Sequence, residues 1–228
     1  MQFAVMGSLW DKQLVACALD KKRFKKLWLR LATATDAPEW KPAWKELVRR
    51  YGEPGRYYHS DAHVAFCLAE LDKLGDGPDA PDLVELSIWF HDLIYETGAK
   101  DNEARSADRF AELAAGQLEP EDIDTVCELI MATVHEGDPG SRDARYVVDL
   151  DIAGMGGSWK RYLRDSKDLR LERPDQDDEA FFAGKKLFLE SLLARPSIYY
   201  TREFAERREG KARRNIGRYL EEFVSPKG

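Results

Sequence analysis

The chain has 228 residues, long enough to bury a sizeable core and short enough for a single domain. With 43% hydrophobic and 34% charged residues it has the balance of a soluble globular chain, and no apolar run approaches the ~20 residues that span a bilayer. A formal charge of −7 excludes a general nucleic-acid-binding surface, which needs a basic excess, but leaves room for a small phosphorylated substrate held by a few local cations.

The opening MQFAVMGSLW has no basic stretch before it and is interrupted by Asp11, so it does not read as a signal peptide. Cys17, Cys67 and Cys127 are scattered, odd in number and free of any CxxC pair. That pattern suits reduced thiols in the cytoplasm and argues against a disulfide framework or a zinc ribbon. The basic cluster KKRFKK at 21–26 reads as a solvated helix face, with a surface for an anionic partner as the functional alternative.

Trp40, Trp44, Leu47 and Val48 fall at helical spacing, and GEPG at 52–55 breaks that helix. RYYHSDAH at 56–63 then leads into an apolar run. Val64, Cys67, Leu68, Leu71 and Leu74 recur at helical intervals, which places His63 at the start of a buried helix and His59 four residues earlier. After a loop at 75–81 comes LVELSIWFHDLIYE at 83–96, expected as a buried helix carrying His91 and Asp92 in its middle. An imidazole beside a carboxylate is rarely buried unless the two are paired or bind a metal. The doublet therefore reads as half of a metal site.

Asp101 is the expected N-cap of DNEARSADRFAELAAG, which Gly116 terminates. Pro120 opens the next helix, whose stripe is Ile123, Val126, Cys127, Ile130, Met131 and Val134, with His135 at its end. YVVDLDI at 146–152 is apolar but carries Asp149 and Asp151, and Gly154, Gly156 and Gly157 follow. A helix is expected over 159–165, a polar loop over 169–180, and closing helices over 179–194 and 200–223. No stretch alternates with period two, so the expected class is all-α.

The four histidines, His59, His63, His91 and His135, all precede the C-terminal third. The order His, His-Asp, His, Asp on separate helices resembles the HD-domain superfamily of metal-dependent phosphohydrolases. RYYHSDAH, IWFHDLIYETGAKDNEARSA, the ATVHE ending, VVDLDIAGMGGSWKRY, IYYT and EGKARRNI look like its bacterial predicted-phosphohydrolase group. The resemblance spans about residues 44–220. It implies an HD-type helical bundle over 37–228, preceded by an N-terminal helical extension over 1–36. It also implies His63, His91, Asp92 and Asp151 as metal ligands, with His59 and Asp149 as near alternatives one helical or periodic step away. His135 matches an extra histidine used for a second metal or for substrate phosphate.

The residue chemistry points the same way. Mixed imidazole and carboxylate donors suit Mn, Fe, Co, Ni or Zn better than an all-oxygen Mg site. A divalent metal held there lowers the pKa of water toward ~7 and stabilises charge on a phosphoryl group. Asp92, Glu103 and His135 are the expected catalytic residues, with Asp101 beside Glu103 as a group to orient water or an imidazole. Arg56, Lys100 and Arg105 are candidate cations for the phosphate, with His135 as a further contact. Plainer roles are open for several of these: helix-start residues for Asp101 and Glu103, a helix C-terminus for His135, packing for His59 and solvent for Asp149. The expected function is hydrolysis of a phosphomonoester or nucleotide. A di-iron oxygenase on the same fold and a non-enzymatic ligand-binding or regulatory module are the alternatives.

Overall fold

The structure, a computed structural model, describes residues 18–33, 38–75 and 77–224; Cys17, the opening segment and the expected boundary at 36/37 lie outside them. Ten α-helices and no strand are found among the described residues, so the class is all-α. No helix among them is long and apolar enough to cross a membrane.

Helix α1 (Lys21–Leu31) starts where the Asp20 carboxylate accepts the N–H groups of Lys22 and Arg23. It buries Phe24, Leu27 and Trp28, spaced three and four apart, and turns its lysines outward. Phe24 meets the rings of Trp44, Trp89 and Phe90, so α1 shares one core with α2 (Trp40–Tyr51) and α4 (Pro81–Phe90). Full burial of each such side chain contributes about 1.5–3 kcal/mol. The basic cluster is partly spent on the body: Arg23 pairs with Glu85 at 2.8 Å and Asp72 at 2.7 Å.

Helix α4 is the axis of the molecule. Pro81 opens it, and Val84, Leu86, Ser87, Ile88, Trp89 and Phe90 are all buried, so it is enclosed on nearly every side. It contacts α1, α3 (Asp61–Leu71), α5 (Asn102–Ala114), α6 (Pro120–Met131) and α7 (Arg142–Asp151). The expectation that His91 and Asp92 lie mid-helix is corrected: α4 ends at Phe90, and His91 is its cap residue. The chain leaves the helix by a turn in which Leu93 N–H donates to Phe90 O, freeing the next carbonyls for other partners.

YVVDLDI forms the end of α7, which Ser141 caps by accepting Ala144 N–H. The glycine turn that follows is dictated by a close approach. A Cβ on Gly156 would stand 2.5 Å from Arg208 Cβ and 2.9 Å from Tyr199 Oη, where α10 (Arg202–Tyr219) packs. Helix α8 (Trp159–Leu171) continues past the expected end at 165, and α9 (Asp178–Ala194) starts before 180. The expected loop therefore shrinks to 172–177. The many arginines and aspartates of α8 hid its apolar face; Arg161, for one, lays its guanidinium over Phe66 at 3.5 Å.

Candidate metal centre

Three helix ends meet at one point. His63 lies in the first turn of α3, His91 and Asp92 follow α4, and Asp151 closes α7. His63 Nε2 is 3.0 Å from Asp151 Oδ1, 3.2 Å from His91 Nε2 and 3.7 Å from Asp92 Oδ2. His91 Nε2 is 2.9 Å from Asp92 Oδ2 and 3.6 Å from Asp151 Oδ1. Metal bonds of ~2.0–2.2 Å to nitrogen and oxygen place neighbouring donor atoms about 3–3.5 Å apart, so these spacings suit one shared ion. His63, His91 and Asp92 form a group that could hold a metal ion, and Asp151 Oδ1 reaches the same place.

Hydrogen bonding sets the tautomer. His91 Nδ1 donates to Ile88 O at 3.0 Å, which leaves the Nε2 lone pair facing the other three donors. Among the described residues Asp92 Oδ2 is buried without a hydrogen-bond partner, with His91 Nε2 2.9 Å away. Two imidazole nitrogens and two carboxylate oxygens converging here, with the Asp92 oxygen orphaned, fit a cation. Burial pushes the Asp92 and Asp151 carboxyls up, but the imidazoles around them win. Chiefly His91 holds Asp92, and His135 and His63 hold Asp151, well below the usual carboxylate range. His91 is driven up by Asp92 and Asp151 against its own burial.

His135 stands behind Asp151, its Nε2 2.7 Å from Oδ2, so the carboxylate offers one oxygen to each side. His135 has φ of +63°, the left-handed region, and is the one non-glycine with positive φ among the described residues. It follows a 3₁₀ turn (Ala132–Val134) rather than ending an α-helix, and this backbone is what aims its ring at Asp151.

The other expected site residues are placed differently. Asp149 is fully buried and accepts Tyr200 N–H, Thr201 N–H and the Thr201 hydroxyl at 2.7–2.8 Å, so it anchors the start of α10 and does not face the cluster. His59 Nδ1 bonds Glu172 Oε2 at 2.6 Å, and its ring lies 6.5 Å from that of His63. Arg56 has its guanidinium between the rings of Tyr51 and Tyr95 and donates to Asp92 O at 2.6 Å, Leu93 O at 2.8 Å and His59 O at 3.2 Å. It clamps the carbonyls freed by the end of α4, and its Nε lies 3.5 Å from Glu53 Oε2. Arg105 is exposed and pairs with Glu96 at 2.8 Å; Lys100 is exposed in the preceding loop. Glu103 is half-buried, its carboxyl raised by burial and by the charges of Asp92 and Asp151.

Asp101 occupies the N-cap position of α5 without a capping hydrogen bond. The DNEARSA segment acts through other residues. Asn102 accepts Glu96 N–H and donates to Glu96 O, while Ser106 does the same for Ile94, so α5 fastens the strand of chain leaving the doublet.

Glu172 is a supporting residue that sequence reasoning missed. Its side chain is fully buried, and Oε1 accepts the N–H groups of Tyr57, Tyr58 and His59 at 2.7–2.9 Å. That fixes Tyr58, whose ring lies 4.7 Å from His63. Thr201, Arg213 and Asn215 bond Asp149 or backbone carbonyls and serve the fold; Arg195 donates to Tyr200 Oη.

No family model matches the chain, and no curated protein or solved structure matches it.

Proposed function

We propose that this chain is a metal-dependent phosphohydrolase of the HD type, acting on a phosphomonoester or nucleotide. One observation carries the reading: His63, His91, Asp92 and Asp151, from three separate helix ends, bring their donor atoms within 2.9–3.7 Å of one another along each measured edge.

In this reading those four residues hold a divalent ion, with Mn, Fe, Co, Ni or Zn fitting the donor set better than Mg. The bound ion supplies Lewis acidity, making water acidic near neutral pH and offsetting charge on the phosphoryl group. Arg56 keeps the Asp92 backbone in place, and Ile88 O keeps the His91 lone pair turned inward. His135 holds the second Asp151 oxygen and contacts the substrate phosphate. Glu103, half-buried in the first turn of α5, is the carboxyl assigned in this reading to deliver the proton to the leaving-group oxygen.

A second reading, the di-iron oxygenase, draws on the two-sided Asp151 carboxylate with His135 behind it. It also needs His59 as a ligand, and that ring is engaged by Glu172. A non-enzymatic module has no use for four intact donors at one point. The test is a screen of phosphorylated compounds with Mn, Co and Ni. Release of phosphate or pyrophosphate supports the proposal; none from any compound with any metal contradicts it.

A further inference from the structure

A cavity of about 450 Å³ opens between α8 and α9 beside the metal centre. It does not include the four converging donors, but it borders them through Tyr58, His59 and Phe188. The Tyr58 ring is 4.7 Å from that of His63, and the Phe188 ring is 6.2 Å from that of His135. Its size is that of a small-molecule site. The walls are largely apolar, with Phe181, Phe188 and Leu189 from α9.

Two residues of this lining carry anomalous polar atoms. Lys185 Nζ and Tyr162 Oη are both enclosed and have no hydrogen-bond partner among the described residues. The ammonium lies 4.6 Å from the Tyr219 ring and 5.7 Å from that of Phe181, contacts that ease its burial without supplying an acceptor. Asp165, the carboxylate on the same lining, is taken by Arg161 and Arg164, each at 3.1 Å. A lysine and a tyrosine hydroxyl left unpaired in an apolar chamber are costly unless a ligand completes them.

We propose that the cavity seats the leaving group of the substrate, with Lys185 and Tyr162 binding a carboxylate on it. The substrate is then a phosphomonoester of a flat or aromatic alcohol carrying a carboxylate at the end remote from the phosphate. A second phosphate, with a further negative charge, is disfavoured by Asp165. This inference rests on the phosphohydrolase reading for the ester and on the cavity alone for the carboxylate.

The test pairs two esters, phenyl phosphate and 4-carboxyphenyl phosphate, with the full-length Mn-loaded protein and its Lys185→Met and Tyr162→Phe variants. The wild type is expected to show a KM at least about tenfold lower for the carboxylated ester, equivalent to about 1.4 kcal/mol. That preference should fall to about twofold or less in Lys185→Met and weaken in Tyr162→Phe. No preference in the wild type, or an undiminished one in Lys185→Met, overturns the proposal. Titration of metal-free protein with benzoate and with benzyl alcohol separates the two readings. If neither ester is hydrolysed, the cavity assignment is read from binding alone. Benzoate binding that is lost in Lys185→Met then still supports the cavity assignment, and equal or absent binding in both proteins overturns it. Because Lys185 has no partner to orphan, its replacement leaves no unsatisfied group behind.

Discussion

His63 and His91 point their Nε2 atoms at each other across 3.2 Å, and His91 is held in that orientation because its Nδ1 donates to Ile88 O. The Asp92 and Asp151 carboxylates adjoin the same point, at 2.9 Å from His91 and 3.0 Å from His63. In the proposed reading a bound cation is held by all four residues and stabilises the folded state. Chelator treatment should therefore lower thermal stability, and excess metal should restore it. An ion present at about 100 times its Kd adds about 2.7 kcal/mol, which for a chain of this size is roughly 5–10 °C in Tm. Scanning calorimetry with and without chelator reads the shift; an unchanged Tm would count against a bound ion.

Arg56 is expected to be structural. Arg56→Met leaves the buried carbonyls of Asp92 and Leu93 without donors, and should destabilise the fold by about 2–4 kcal/mol while loosening the doublet. Arg56→Lys should recover little, since one ammonium cannot reproduce the planar fork between Tyr51 and Tyr95. Denaturant titration measures both. A variant as stable as wild type but with a raised KM would return Arg56 to the phosphate.

Much of the centre was legible before any fold was known. Its donors are rare residue types placed where apolar helices begin or end: His63 ahead of VAFCL, the doublet after LSIWF, Asp151 before the glycine turn. Such contrast survives in one dimension. The supporting roles did not. Arg56 is recognisable as a clamp only once α4 stops at Phe90 and frees the carbonyls it binds. Glu172 sat in a run that reads as a polar loop, and its partners lie more than a hundred residues earlier in the chain. Asp149 and Asp151, two apart, exchange faces depending on whether their segment is helical and where its turn begins.

Glu172→Gln should act on the centre from a distance. The charge that holds three backbone N–H groups and His59 is lost, at about 1–3 kcal/mol, and Tyr58 is freed to shift against His63. Metal affinity should fall by about 10–100-fold, as for other groups that position ligands from behind. Competition with a fluorescent chelator reports the change; unaltered affinity would make Glu172 a fold residue only.

Lys185 sets a pH dependence. Burial holds its amine down at about 7, with Asp165 opposing, below its usual 10.5. Between those values the unfolded chain binds the extra proton, so stability rises as pH increases from about 7 toward 10.5. Lys185→Met should be more stable than wild type near pH 7, with the advantage shrinking as pH rises. Parallel urea melts at several pH values test this; a variant less stable at pH 7 would contradict it.

The central claim is that His63, His91, Asp92 and Asp151 hold one metal ion. Elemental analysis of protein purified without added metal, compared with Asp92→Ala of native helicity, tests it most directly. The account predicts about one transition-metal ion per wild-type chain and nearly none in the variant. Full metal content in Asp92→Ala, or a wild type that takes up no metal even when it is supplied, would contradict it.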